Sequence, residues 1–205
     1  MIKVAFLGIG RMGSAIAANV LAGGHDLVVY NRTSEKTADL AAAGAGVAPS
    51  IAEACAEREV VMTMLADDAA LSSVVLDPGG LRESLPAGSI HVVMGTHGVS
   101  TVRSLAAAHS EAGQILVAAP VLGRPDVAAA GKLGIVTAGP PEAVEFCQPL
   151  FEVIGRRTFD AGTAPERATA IKLANNFLLG CAIEVMGEAY SLARSYEVAP
   201  AVLYD

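Results

Sequence analysis

The chain has 205 residues, of which 53% are hydrophobic and only 4% aromatic, and its net charge is −7. That length allows one well-packed domain and part of another, and the acidic balance argues against nucleic acid or a membrane as partner. The cysteines, Cys55, Cys147 and Cys181, lack the spacing of a metal site or a disulfide framework, so we expect buried free thiols and no bound metal. The first strand begins almost at Met1, which leaves no room for a signal peptide, and we expect a cytoplasmic protein.

Strands and helices alternate at short intervals from Ile2 to Gly155. Apolar runs predict strands over residues 2–10, 25–33, 59–65, 88–96, 113–121 and 132–139. Helical periodicity predicts helices over residues 11–23, 34–43, 51–57, 67–76, 99–113 and 141–155. This alternation predicts an α/β fold, a doubly wound parallel sheet of the Rossmann type covered by helices on both faces.

A single long helix is predicted from Pro165 to Val198, where apolar residues recur at helical spacing. Polar residues interrupt it, so we expect a buried helix rather than a membrane span. We place a Rossmann-type domain at residues 1–163, and an interdomain helix with the beginning of an all-α domain, apparently truncated, at residues 164–205.

The motif "GIGRMG" supplies Gly8, Gly10 and Gly13 between the first strand and the first helix. In that context Gly8 permits a tight turn, Gly10 lets a pyrophosphate approach the backbone, and Gly13 allows close packing of helix on sheet. The intervening Arg11 and Met12 belong to the same predicted cofactor site. The alternative is a glycine turn that is merely structural.

The end of the second strand indicates which dinucleotide binds. An NAD site usually has Asp or Glu there to hold the ribose 2′-hydroxyl, but this chain has Asn31, Arg32 and Thr33. A guanidinium and small polar groups suit a 2′-phosphate, so we predict NADP(H) in preference to NAD(H). The alternative is that Arg32 is an ordinary surface charge.

Within "IKLANNFLLG", Lys172, Asn175 and Asn176 share one helix face by their spacing of three and four residues. An unpaired ammonium is costly to bury, so this face must meet either water in a cleft or a partner.

The chain resembles the β-hydroxyacid dehydrogenase family, which includes 3-hydroxyisobutyrate dehydrogenases and glyoxylate/succinic semialdehyde reductases. The resemblance is carried, in order, by "FLGIGRMGSAIAANV", "NRT", "VMTML", "MGT", "AAPVLGRPDVAAAGKLGIVTAGP" and "KLANN". It implies a Rossmann domain joined by the long helix to an all-helical domain, with assembly as a homodimer or homotetramer through the C-terminal helices.

The resemblance also implies roles for single residues. Lys172 matches the catalytic lysine, which stabilises the charge developing on a carbonyl oxygen and supplies the proton. The other matched positions are Asn176 with Asn175 beside it and Gly123 for substrate, Thr96 near the nicotinamide, and Met64 and Leu65 against the cofactor.

Three departures from the family pattern bear on the substrate site. Many members read "APVSGG" where this chain has "APVLGR", so Leu122 replaces a serine that contacts substrate and Arg124 replaces a glycine. These changes suggest a different acid or aldehyde, with Arg124 either binding a second anionic group or lying at the surface. Gly95 replaces a serine in "MGT", and we interpret the nearby His97 as a loop histidine rather than a base. The remaining histidines, His25, His91 and His109, form no recognisable constellation of functional residues in the sequence.

We therefore expect an NADP(H)-dependent oxidoreductase that transfers hydride between the nicotinamide and a small anionic hydroxy acid, aldehyde or keto acid. Two other enzymes share features with the chain. Imine reductases usually lack the lysine, and 6-phosphogluconate dehydrogenases differ at "KLANN". The alternative from another class is a non-catalytic NADP-binding interaction module.

Overall fold

The computed structural model describes residues 1–204, so Asp205, the last residue of the predicted second domain, lies outside the described residues. The chain packs as two units, residues 1–172 and the residues from Leu173 onward. The boundary predicted at residue 163 stays a prediction.

A parallel sheet of six strands forms the centre of the first unit, in the order β3-β2-β1-β4-β5-β6. The strands are β1 Lys3–Leu7, β2 Asp26–Tyr30, β3 Gly46–Val47, β4 Val60–Thr63, β5 Ile90–Val93 and β6 Ile115–Ala118. Alternate side chains of each strand enter opposite faces, and β4 and β5 are buried throughout, as a sheet covered on both sides requires. The predicted Rossmann-type fold is confirmed.

Helices cover both faces of this sheet. They are α1 Arg11–Ala22, α2 Ala38–Ala42, α3 Ile51–Cys55, α4 Asp68–Leu76, α5 Leu81–Ser84, α6 Val99–Glu111, α7 Pro125–Ala129 and α8 Pro141–Ile154, with a short 3-10 helix at Ser34–Thr37. Side chains of α1 and α8, such as Ile16 and Phe151, pack with Val4 and Phe6 of β1 on one face. Leu71 of α4 packs with Leu7 on the other. Strand order reverses between β1 and β4, which opens a crevice at their carboxyl ends.

The strand predicted at residues 132–139 lies outside the main sheet, which corrects the expectation of a single parallel sheet. It is β8, Leu133–Thr137, in a three-stranded sheet between β7, Val121–Leu122, and β9, Gly155–Asp160. Strand β7 runs antiparallel to β8, and the short helix α7 lies in the connection between them. A pair of hydrogen bonds between Ala118 and Ala138 links the two sheets.

The long helix is α9, Glu166–Ser195, and α10, Pro200–Tyr204, follows it. The prediction that α9 is buried is wrong for the described residues, since its apolar side chains, including Phe177 and Leu178 at 70%, are exposed. By length and composition α9 could cross a membrane, which is a weak indication. Helical periodicity identifies an apolar face but not what covers it.

The cysteines are free, as predicted, but they are not all buried. Cys55 and Cys147 are enclosed in the core, whereas Cys181 on α9 is exposed. Burial raises the pKa of each core thiol to about 12, so Cys55 and Cys147 stay protonated and unreactive at neutral pH.

Candidate active site

The glycine loop that joins β1 to α1 is built with no room for side chains at two positions. Gly8 has φ of +99°, and a Cβ there would lie 2.5 Å from the Met64 carbonyl oxygen. A Cβ on Gly13 would lie 2.0 Å from the carbonyl oxygen of Gly8. A Cβ on Gly10, by contrast, would meet no atom within 4 Å, because Gly10 borders open space.

The amino end of α1 offers backbone N–H groups to a ligand. The first helical hydrogen bond runs from Ser14 N–H to Gly10 O at 2.8 Å, so the helix does not use the N–H groups of residues 11–13. No side chain of the described residues caps α1, and its first turn holds no acidic residue. A pyrophosphate fits this end of the helix, because free N–H groups and the positive end of the helix dipole attract an anion.

Asn31 connects the glycine loop with the segment that follows β2. Its Oδ1 accepts a hydrogen bond from Ile9 N–H at 2.9 Å, and its Nδ2 donates to Thr33 O at 2.8 Å. These two bonds fix which end of the amide faces which loop. Asn31 therefore positions the walls of the crevice in addition to bordering it.

A cleft of about 770 Å³ lies at the carboxyl ends of β1, β2 and β4. Seven of the predicted cofactor residues line it: Gly8, Gly10, Asn31, Arg32, Thr33, Met64 and Leu65. The opposite wall is formed by α4, from Asp67 to Asp77. The structure thus collects in one place residues that the sequence separates by more than thirty positions.

Lys36 also lines the cleft, beside Arg32, although the sequence reasoning missed it. Both side chains are exposed and so remain available to a ligand. The available signal was a basic residue four positions after Arg32, at the start of the helix that follows the strand. The two carboxylates in the lining are already engaged, since Asp67 accepts from Ala70 N–H at 2.8 Å and Asp77 accepts from Ser73 Oγ.

The remaining predicted site residues do not line this cleft. Arg11 is exposed, Met12 packs partly against the core, and Gly13 is buried below the loop. The others outside the lining are Thr96 and Gly123, which are exposed, Leu122 and Lys172, which are half-buried, and Asn175 and Asn176, which are exposed and belong to the second unit.

Lys172 is the last residue of the first unit. Burial lowers the pKa of its ammonium from the ordinary value, because the charged form loses hydration. Among residues 1–204 no carboxylate lies within ion-pair distance of it. A lysine in this state releases its proton more readily than a surface lysine.

The structure corrects one interpretation of the histidines and agrees with another. His91 and His109, expected to form no constellation, are joined by a hydrogen bond of 2.9 Å between Nδ1 and Nε2 inside the core. They lie 18 positions apart and meet only because α6 packs beside β5. His97 follows β5 in a loop, as predicted, and its side chain is buried.

The fold and the cleft define a dinucleotide-binding α/β protein. Residues 3–162 match the family model described as the NAD binding domain of 6-phosphogluconate dehydrogenase. The chain is 44% identical to the oxidoreductase YfjR of Bacillus subtilis, over 95% of this chain and 68% of that protein. It is 36% identical to an NAD-dependent L-serine dehydrogenase of Pseudomonas aeruginosa, over 94% of this chain and 64% of that protein. A 3-hydroxyisobutyrate dehydrogenase of the same organism is 34% identical, over 100% and 68%.

Solved structures give the same result. The 3-hydroxyisobutyrate dehydrogenase of Mycobacterium tuberculosis with L-serine superposes with a TM-score of 0.91 at 27% identity, covering 100% of this chain and 69% of that one. Psf3 in complex with NADP⁺ and 2-OPP superposes with a TM-score of 0.88 at 30% identity, covering 98% and 71%. The chain belongs to the β-hydroxyacid dehydrogenase family, and it spans about two thirds of the length of the curated relatives it matches.

Proposed function

We propose that the chain is an NADP(H)-dependent reductase of small aldehyde or keto acids, or in the reverse direction a dehydrogenase of the matching hydroxy acids. The observation that carries the choice of cofactor is the pair of cations, Arg32 and Lys36, in the cleft where β2 ends. No carboxylate follows β2 at the three positions 31–33, so the group that would repel a 2′-phosphate is missing there.

The binding roles follow from the geometry of the cleft. The N–H groups at the start of α1 would hold the pyrophosphate, while Arg32, Lys36 and Thr33 would hold the 2′-phosphate. Gly10 leaves space for the phosphates because any Cβ would project into the cleft. Met64 and Leu65 supply an apolar wall, and the matched Thr96 is exposed at the end of β5.

A bound nicotinamide supplies or accepts the hydride. Lys172 would hold the proton that a carbonyl oxygen takes up during reduction, and its lowered pKa makes it a better donor at neutral pH. In the oxidation direction the neutral amine would accept the proton from the substrate hydroxyl. Asn175 and Asn176 would orient the substrate, because amides bind oxygen atoms without competing for protons.

The names of the relatives support a 3-hydroxy acid as the substrate class. One relative is named for L-serine and another for 3-hydroxyisobutyrate, and both compounds carry a hydroxyl on the carbon next to the one that bears the α-substituent. Among residues 1–204, Arg124 pairs only with Asp126, at 3.3 Å, and its side chain is 81% exposed, so an anionic substrate could reach it. The cytoplasmic location and assembly through the C-terminal helices stay predictions.

The test is the initial rate of NADPH oxidation with glyoxylate, succinic semialdehyde, a three-carbon semialdehyde and one cyclic imine, with NADH as the comparison. Turnover of an aldehyde acid with NADPH preferred is the expected result. Turnover of the imine alone would establish an imine reductase instead. Binding of NADPH without turnover of any compound would favour a non-catalytic module.

A further inference from the structure

The loop after β5 contains a buried histidine, His97, which contacts Asp68 of α4. The side chain is 1% exposed, and its Nδ1 lies 3.3 Å from Oδ1 of Asp68. The Asp68 carboxylate also accepts hydrogen bonds from Gly98 N–H and Thr101 Oγ–H, each at 2.9 Å. The Gly98 bond lowers the pKa of Asp68 and burial lowers the pKa of His97, so a charged carboxylate faces a neutral imidazole whose proton is on Nδ1.

Gly95 is the residue that makes room for this imidazole. A Cβ at position 95 would lie 2.3 Å from His97 Nε2 and 2.8 Å from the Leu65 carbonyl oxygen. Both distances are well below van der Waals contact, so the imidazole and the Leu65 backbone already fill the volume that a side chain of residue 95 would need. His97 Nε2 is itself buried and has no hydrogen-bond partner among residues 1–204. The Nε2 side of the ring is therefore held against Gly95 by packing alone.

The segment of Met64 and Leu65 is enclosed on its other side by Gly8, whose Cβ would lie 2.9 Å from Leu65 Cδ2. This segment lines the cleft, and its backbone lies so close to both glycines that a side chain at either position would displace it. Thr96 lies between Gly95 and His97 in the chain, so both of its neighbours are fixed while its own side chain is exposed.

We propose that His97, held by Asp68, is a positioning residue that sets the Leu65 backbone in the cleft and Thr96 outside its lining, at the end that we assign to the nicotinamide. The inference rests on the proposed function, because it needs a dinucleotide whose nicotinamide half meets this end. His97 contacts neither cofactor nor substrate in this account and acts through Gly95, Leu65 and Thr96.

The test compares two ligands of the full chain by titration calorimetry: NADPH, and 2′,5′-ADP, which lacks the nicotinamide half. For His97→Ala we expect the Kd of NADPH to rise about tenfold while the Kd of 2′,5′-ADP stays within about twofold of wild type. His97→Asn keeps a donor toward Asp68 but vacates the space beside Gly95, and we expect an intermediate loss. This second variant provides the comparison if His97→Ala does not fold.

His25→Ala is the matched control. His25 is also a buried imidazole, but it lies at the amino end of β2, away from the carboxyl ends where the cleft opens, and its Nδ1 accepts from Ile2 N–H at 3.3 Å. Its removal should leave both Kd values unchanged. Equal losses for the two ligands in the His97 variants, or no loss for either, would overturn the positioning role. Failure of the wild-type chain to bind either ligand would instead overturn the proposed function, and the inference with it.

Discussion

Ile9 N–H donates a hydrogen bond of 2.9 Å to Oδ1 of Asn31, which ties the phosphate loop to the end of β2. The two parts of the cleft to which we assign different groups of a dinucleotide are thereby connected by a direct hydrogen bond. The opposite end of the same amide donates to Thr33 O at 2.8 Å, so the orientation of Asn31 is determined by its neighbours.

Asn31→Asp should shift the cofactor preference from NADPH toward NADH. The carboxylate keeps an acceptor for Ile9 N–H, but it loses the donor to Thr33 and places a negative charge beside the 2′-phosphate. We expect the NADPH:NADH ratio of affinities to fall on the order of 10- to 100-fold. Calorimetry with both cofactors measures it, and an unchanged ratio would show that the 2′-phosphate does not lie at this residue.

Lys36→Ala should weaken NADPH binding and leave NADH binding unchanged, because only the 2′-phosphate needs the second cation. The side chain is exposed, so we expect a modest effect, about 3- to 15-fold in the Kd of NADPH and smaller at high salt. Lys132→Ala removes a lysine that is also exposed but lies outside the cleft. A similar loss in Lys132→Ala would mean that net charge, rather than a site at Lys36, attracts the cofactor.

Gly10→Ala should weaken cofactor binding, whereas Gly13→Ala should lower the stability of the fold. A methyl on Gly13 meets the Gly8 carbonyl oxygen at 2.0 Å, so we expect a loss of about 1–3 kcal/mol in the free energy of unfolding. A methyl on Gly10 meets no protein atom and projects into the cleft, so the fold should keep its stability while the NADPH Kd rises. Urea denaturation and calorimetry on the two variants check this. Equal stability of both variants would contradict the packing argument.

Lys172→Ala should lower kcat by roughly 10²- to 10⁴-fold without changing the Kd of NADPH, if Lys172 holds the transferred proton. Oxidation of a hydroxy acid needs the neutral amine, so in wild type its rate should rise with pH through a pKa below that of a free lysine. Initial rates measured from pH 6 to pH 10 record this profile. If the variant kept the wild-type kcat and pH profile, Lys172 would not be the residue that transfers the proton.

Stability should fall as pH decreases below about 6.5, because the buried histidines are neutral in the folded chain. Burial lowers the pKa of His91 far below its ordinary value, and it also lowers the pKa of His97 and of His109. The unfolded chain then binds more protons than the folded chain, so this stability is fully present above the unfolded pKa and is lost as pH falls.

Urea denaturation between pH 7.5 and pH 5.5 measures the slope, and we expect up to about 1.4 kcal/mol per pH unit for each histidine that stays neutral. His109→Gln, which cannot titrate, should reduce this slope by the contribution of one histidine. A free energy of unfolding that does not change over this range would mean that the imidazoles gain protons without loss of the fold.

The side-chain amide of Gln114 fixes which nitrogen of His109 carries the proton. Gln114 Nε2 donates to the Leu85 carbonyl oxygen at 2.6 Å, so its Oε1 is the end that accepts from His109 Nδ1, also at 2.6 Å. His109 Nε2 must then accept from His91 Nδ1, and His91 Nε2 accepts from Thr63 Oγ–H at 2.9 Å. Both rings are neutral in this arrangement, and their burial, which lowers the pKa of His91 and of His109, is the physical reason for the expected acid sensitivity.

The sequence by itself determined the order of strands and helices, the glycine loop and the basic residue at the end of β2. These features are local: apolar periodicity marks each element, and a turn of Gly8 geometry admits few residues other than glycine. Only the tertiary structure decided that Lys36 joins Arg32 in the cleft, that His91 pairs with His109, and that β8 belongs to a second sheet. Those outcomes depend on which elements pack side by side, and sequence spacing does not record contacts between residues far apart in the chain.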